Sequence, residues 1–200
     1  EALSGGMTHI SAERRELLNT LAVYIAERVN AGTPAKLVFI CTHNSRRSHI
    51  SQIWAQAAAH AYGIPRVETW SGGTEATAFH PNAIEALAAC GFRISGDRTD
   101  ENPKYLIRFS DDAPAIEAWS KRFDDERNPR ADFAAIMTCS DADEACPFVP
   151  GADARFPIRY EDPKHSDGSA TESVVYAETC REIGREMLSV MRRTAELLSQ

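Results

Sequence analysis

The segment Cys41-Thr42-His43-Asn44-Ser45-Arg46-Arg47-Ser48 sets a thiol and a guanidinium at opposite ends of a short polar turn, with a hydroxyl just beyond. The spacing Cys-x5-Arg has a physical logic. Successive backbone N–H groups of such a turn point inward, and the start of a following helix adds positive partial charge, so Thr42 to Arg46 can cradle a tetrahedral oxyanion. The same field favours a thiolate, since cysteines at helix N-termini beside arginine titrate at ~3.5–7.5 rather than ~8.5. Arg47 can fork two N–H bonds onto the anion. The Ser48 hydroxyl can donate to the Cys41 thiolate, and Asn44 can close the loop through side-chain hydrogen bonds to the backbone. The predicted chemistry is nucleophilic attack by Cys41 on a tetrahedral oxyanion.

Two further cysteines bracket Cys139-Ser140-Asp141-Ala142-Asp143-Glu144-Ala145-Cys146. In a helix seven residues rise ~10.5 Å, whereas bridged cysteines have Cα atoms at most ~7 Å apart. A disulfide between them therefore requires a loop, or a helix that unwinds, and Pro147, Pro150 and Gly151 suit mobility. Zinc sites use tighter pairs such as Cys-x2-Cys, and the acidic run lacks the glycine and distal glutamate of a calcium loop, so no metal is expected. Glu161-Asp162-Pro163 is a polar turn before the last helix.

The elements that must position these groups alternate between strand and helix. Ser11 to Asn30 reads as an amphipathic helix, with Leu17, Leu18, Leu21, Ile25 and Val29 at the helical period and Gly32 and Pro34 behind it. Lys36 to Cys41 is an apolar, β-branched run typical of a buried parallel strand. A helix over Arg47–Tyr62, a strand over Val67–Ser71 and a helix over Pro81–Cys90 follow. Tyr105 to Arg130 is charged, with one helix expected around Pro114–Phe123. Phe133–Thr138 and Phe156–Tyr160 are the third and fourth strands. Ser169-x-x-Glu172 reads as a capping box opening a long helix. The pattern predicts a single α/β domain with a four-stranded, mainly parallel sheet flanked by helices and preceded by an extra N-terminal helix.

Composition narrows the function. Of 200 residues, 29 are acidic and 22 basic, for a formal charge of −7, so nucleic acid is not the expected partner. The longest apolar run is far short of the ~20 residues of a membrane helix. Five scattered cysteines and no signal-peptide pattern in Glu1 to Gly6 point to a reduced, cytoplasmic protein. Glu1 to Gly6 reads as a cloning remnant ahead of a native start at Met7, 7–35 as a helical extension and 36–200 as the catalytic domain. Cys90, Cys180, Trp54 and Trp70 read as core, His43 and His49 as incidental neighbours of the loop, and Trp119 as exposed.

From Lys36 onward the chain resembles the low-molecular-weight protein tyrosine phosphatase superfamily, which includes thioredoxin-coupled arsenate reductases. The family's Cys-x-x-Asn-x-x-Arg-Ser loop is matched by Cys41, Asn44, Arg47 and Ser48, and its Ser-Gly-Gly-Thr segment by Ser71 to Thr74. The resemblance makes Asp162 the general acid, a role carboxylic acids fill when partial burial raises their pKa toward neutrality. It also implies a relay in which Cys139 attacks the Cys41–arsenic adduct and Cys146 then takes over the disulfide, which thioredoxin would reduce. Phe79 to Ile84 is similar to the reductases' Asn-Pro-Asn-Ala segment. Lys164 and His165 stand where phosphatases tend to carry aromatics. Arg46, however, replaces a second Cys common in relatives, and Gln52 a Glu that helps to hold potassium. The implied activity is arsenate reduction without a resident cofactor; the rivals are hydrolysis of aryl phosphates such as phosphotyrosine through a phosphocysteine, and a silent anion-binding or redox-sensing module. Phe109 to Pro129 has no counterpart and fits a lid.

Overall fold

In the computed structural model, residues 10–96 and 99–200 are described; Glu1–Gly6, expected to be a remnant, and the expected start at Met7 lie outside them. Helix α1 (Ala12–Asn30) is capped by Ser11, whose side chain accepts the Arg14 N–H. Strand β1 (Ala35–Cys41), helix α2 (Arg47–Ala61), strand β2 (Val67–Gly73) and helix α3 (Pro81–Ala89) follow close to their expected bounds. Strand β3 (Arg93–Gly96), strand β4 (Tyr105–Arg108) and strand β5 (Ile116–Ala118) form a separate antiparallel sheet. Then come strand β6 (Phe133–Met137), helix α4 (Ser140–Ala145), strand β7 (Ala152–Phe156), a 3₁₀ turn over Pro163–Ser166 and helix α5 (Glu172–Leu198).

The main sheet has the order β2-β1-β6-β7, and every pairing is parallel. Its parity decides the layers, because successive side chains of a strand face opposite ways. Leu37, Phe39, Ala134 and Ile136 join the large core built by α1, α2, α3 and α5. Val38, Ile40, Phe133, Ala135 and Met137 face a smaller core closed by Ala142, Val149 and Phe123. The chain leaves β1 toward β2 on one side while β6 pairs on the other. The loops after β1 and β6 therefore diverge and open a crevice between them, the place where open α/β sheets bind ligands.

Three expectations need correction. The fourth strand ends at Phe156 rather than beginning there, because Pro157 has no N–H to donate to the ladder. Residues 158–160 instead bend back, and the Tyr160 N–H donates to the Thr138 carbonyl. The helix expected around Pro114–Phe123 is absent; Tyr105–Arg108 alternates buried and exposed at the strand period, and Ile116–Ala118 pairs with it. Finally, the Ser169 capping box does not form. Helix α5 starts at Glu172, whose carboxylate accepts from Asn82 Nδ2 at 2.6 Å instead of folding back on its own helix.

The 105–130 stretch is a buttress against the end of β2 rather than a lid. The Gly73 N–H donates to the Lys121 carbonyl and the Phe123 N–H returns to the Gly73 carbonyl, both at 2.9 Å. A Cβ on Gly72 would lie 2.3 Å from the Phe123 Cα, so only glycine admits this approach. Asn128 Nδ2 donates to the carbonyls of Ser71 and Phe123. The packing buries Lys121 to 4 % exposure, its ammonium 4.4 Å from the half-buried Trp119 ring.

Burial of Lys121 lowers its pKa to about 8 from 10.5, against the pull of Asp125 and Glu117. Below about 8 the folded and unfolded states are both charged, and the fold bears the full desolvation cost. Between 8 and 10.5 only the unfolded state holds the proton, so stability rises with pH. In denaturant titrations, wild type should gain roughly 1–3 kcal/mol over Lys121→Met across that window. A flat difference between the two would mean that the ammonium remains hydrated.

Candidate active site

Cys41 is the last residue of β1 and Arg47 the first of α2, so the intervening loop turns a buried strand into a buried helix. Asn44 holds the turn. It adopts the left-handed region (φ 45°), which asparagine tolerates better than most residues. Its Nδ2 donates to Ser48 Oγ at 2.9 Å, and its Oδ1 accepts the Lys121 N–H at 2.9 Å. Ser48 Oγ lies 3.0 Å from Cys41 Sγ. Because Asn44 already donates to that oxygen, the single Ser48 hydrogen is free to point at the sulfur.

The rest of the loop is fastened from outside. The Thr42 carbonyl accepts from the Glu75 N–H at 2.8 Å and from Thr74 Oγ1 at 3.1 Å, and the His43 carbonyl accepts from Ser120 Oγ at 3.0 Å. Ser45 Oγ donates to the Ala78 carbonyl at 2.7 Å, and the Ser45 carbonyl accepts the His80 N–H at 2.9 Å. Gly73 must be glycine here too, since a Cβ would meet the Thr42 carbonyl at 2.6 Å and the Asn44 nitrogen at 2.7 Å. These contacts tie the loop's carbonyls to the segments around it.

The two loop arginines diverge. Arg47 points toward the crevice: Nη1 donates to the Tyr160 carbonyl at 3.0 Å and Nη2 to Asp162 Oδ2 at 2.5 Å. Arg46 turns toward α5, where Nε donates to the Tyr176 hydroxyl at 2.7 Å and Nη2 to Asp167 at 3.1 Å. Arg46 is thus a structural tie, and its side chain does not line the cradle. Asp162 caps the 3₁₀ turn, its Oδ1 accepting the Lys164 N–H at 3.0 Å, and its carboxylate is partly exposed. A cleft of about 700 Å³ borders Arg47, Asp162, Ser140 and Asp141.

Cys139 and Cys146 flank α4, one at each cap. Cys139 is fully buried; its sulfur lies 3.5 Å from Thr42 Oγ1 and accepts the Ala142 N–H at 3.4 Å. Cys41, Cys139 and the half-buried Cys146 share the smaller core. Arg155 grips α4 through the Asp143 carbonyl (2.6 Å) and the Cys146 carbonyl (3.2 Å). The segment is helical, so a bridge between these cysteines requires the unwinding foreseen from their spacing.

The His43 imidazole lies 3.7 Å from the carboxylate of exposed Glu75. His49 is buried, stacked 4.0 Å from Phe79, and its pKa is held well below 6.5 by burial and by the Lys121 charge. Gln52 donates to the Thr69 carbonyl. No cluster of three or more metal-binding side chains occurs among the described residues, and no helix among them is long and apolar enough to cross a membrane.

Sequence inspection missed the supports. Arg14 of α1 forks onto Glu186 at 2.8 Å, donates to the Arg159 carbonyl and covers the Tyr160 ring, so the N-terminal helix braces Tyr160, whose carbonyl receives Arg47. Ser120, Lys121 and Tyr176 come from remote segments without any local motif to mark them.

The family model for low molecular weight phosphotyrosine protein phosphatase matches residues 36–111. An arsenate reductase from Shouchella clausii is 30% identical over 149 residues, covering 74% of this chain and 88% of that protein. Among solved structures, a low molecular weight protein tyrosine phosphatase from T. tengcongensis (22% identity, 79% of this chain and 98% of that one) gives a TM-score of 0.55. An arsenate reductase in the phosphate binding state (17% identity, 79% and 97% covered) gives 0.51. With this fold, this loop and a relative at that identity, the chain belongs to the low-molecular-weight phosphotyrosine protein phosphatase superfamily, a family of enzymes in which its relatives include arsenate reductases.

Proposed function

We propose that the chain is a thiolate-dependent enzyme that reduces arsenate, with Cys41 as nucleophile, Arg47 as anion clamp, Asp162 as acid and the backbone of Thr42 to Arg46 as cradle. The observation that carries this reading is the gathering of Cys41, Cys139 and Cys146 into one core beside the crevice, apart from the other two cysteines. The Cys41 thiolate attacks arsenic, and an As–O bond breaks as Asp162 protonates the departing oxygen, which leaves as water. The Cys139 thiolate then attacks Cys41 Sγ. The S–S bond forms, the S–As bond breaks, and its electron pair reduces arsenic(V) to arsenic(III), released as arsenite. Cys146 attacks Cys139 and frees Cys41. An external dithiol of the thioredoxin class reduces the Cys139–Cys146 bond, and the five free thiols suit the reducing cytoplasm.

The relay needs α4 to open. A Cys139–Cys146 bond removes the sulfur that caps Ala142 and breaks the Arg155 grip, so α4 is the element that moves. Hydrolysis of aryl phosphates is the rival reading, favoured by the Asp162–Arg47 contact, which sets an acid beside the anion clamp and needs neither Cys139 nor Cys146.

Assaying arsenate with thioredoxin beside p-nitrophenyl phosphate decides between them. Cys139→Ser should abolish arsenate turnover, and Cys146→Ser should stop after about one turnover as a Cys41–Cys139 disulfide detectable by mass spectrometry, while ester hydrolysis survives both. Rapid ester hydrolysis by wild type, with neither disulfide forming on arsenate, would replace the reductase with the phosphatase.

Asp162→Asn should slow phenyl phosphate more than p-nitrophenyl phosphate, by roughly 10²-fold against a much smaller loss, because a good leaving group needs little protonation. Equal losses on the two esters would make Asp162 only the partner that aligns Arg47. Arg47→Lys should lose most activity on either substrate, since an ammonium cannot fork onto two oxygens.

A further inference from the structure

Two cysteines lie outside the crevice. Cys90 caps the C-terminal end of α3, Cys180 sits in α5, and their sulfurs are 3.8 Å apart. Both belong to the large core, on the opposite side of the sheet from the three thiols of the proposed relay. We propose that Cys90 and Cys180 form a second redox site, which hydrogen peroxide converts into a disulfide fastening α3 to α5.

The pair is asymmetric in the way such chemistry requires. Cys90 is half-buried and borders a cleft of about 300 Å³ with Trp54, Phe92 and Leu188, so a small oxidant reaches it. Cys180 is fully buried, and its sulfur accepts the Trp54 Nε1–H at 3.4 Å. The Cys180 thiol's hydrogen bond lowers the Cys90 pKa to about 7 against the effect of burial, with help from Arg181, and the same contact raises Cys180. Cys90 is therefore the attacking sulfur and Cys180 the resolving one.

The Cys90 thiolate attacks one peroxide oxygen, the O–O bond breaks, and the other oxygen leaves as water, giving a sulfenic acid. Cys180 loses its proton and attacks the Cys90 sulfur; the S–O bond breaks and a second water departs. Two thiols supply the two electrons that reduce one peroxide to two waters. Closing 3.8 Å to a ~2.05 Å bond asks for less than 2 Å of movement. Cys90 can supply it, because it ends its helix beside Gly91, whose φ of 98° marks the turn.

The position gives the bond leverage over the anion loop. Tyr176, one turn before Cys180, receives Arg46, while His80, the N-cap of α3, bonds the Ser45 carbonyl and stacks 5.3 Å from Tyr176. A staple between α3 and α5 thus joins the two helices that hold the far side of the loop.

The test treats wild type and a Cys41→Ser/Cys139→Ser/Cys146→Ser variant with near-stoichiometric hydrogen peroxide, blocks free thiols with N-ethylmaleimide and maps the peptides. The expected product is a linked Cys90–Cys180 peptide that dithiothreitol separates, with Tm raised by roughly 5–10 °C in the triple variant. In Cys180→Ala, Cys90 should instead be trapped as a sulfenic acid that dimedone captures. Recovery of Cys180 labelled by N-ethylmaleimide while Cys90 is unmodified or over-oxidised would overturn the proposal, as would a linked peptide without a rise in Tm. Should the triple variant fail to fold, the wild-type map decides alone, since pairing of Cys90 or Cys180 with any other cysteine, or with none, overturns it.

Discussion

A chain that leaves a buried strand and enters a buried helix within a few residues must find partners for the buried polar groups of the turn between them. Here that constraint falls on Asn44. Its left-handed backbone makes the turn, and its side chain joins the loop's two ends to the buttress by meeting Ser48 and the Lys121 N–H at once. The orientation of Ser48 toward Cys41 and the path of the 105–130 stretch both follow from those two bonds. Glycine at 72 and 73 is the complementary requirement, because the buttress and the loop approach the end of β2 too closely for any Cβ.

The site also gathers more buried cationic side chains than a small core tolerates without partners. Arg46, Arg47 and Lys121 are all at or below 9 % exposure. The two arginines meet carboxylates, backbone oxygen or tyrosine hydroxyl, which offsets desolvation and fixes their direction. Lys121 meets an aromatic face, and its lowered pKa is the mark of the incomplete compensation. Helix α1 belongs to the same economy: by pairing Arg14 with Glu186 and covering Tyr160, it steadies the carbonyl that receives Arg47.

The two cores separate the cysteines. Cys41 at the end of β1 and Cys139 at the start of α4 share the smaller core with Cys146, while Cys90 and Cys180 meet among the helices on the other face of the sheet. The sheet thus separates a proposed substrate relay from a proposed oxidant-sensitive staple. Helix α4 and the end of α3 are the short, terminal elements at which each pair has to move.

Much of this was legible in the residues themselves. The β1 run, the Cys-x5-Arg loop, α2, α3 and the β6 run carry strong local signals, because buried parallel strands are continuously apolar and helices are punctuated by Gly and Pro. The roles of Cys41, Asn44 and Ser48 within the loop needed nothing further to suggest them. The small antiparallel sheet and the buttress did not show, since Tyr105–Arg108 is too short to stand out in a charged stretch and Ile116–Ala118 falls inside the helix expected around Pro114–Phe123. Only tertiary structure sent Arg46 away from the cradle, gave Glu172 to Asn82 rather than to a capping box, and brought Cys90 to Cys180 across 90 residues. A sequence records which groups a segment offers along its own axis; which remote partner satisfies each of them is decided when the layers close.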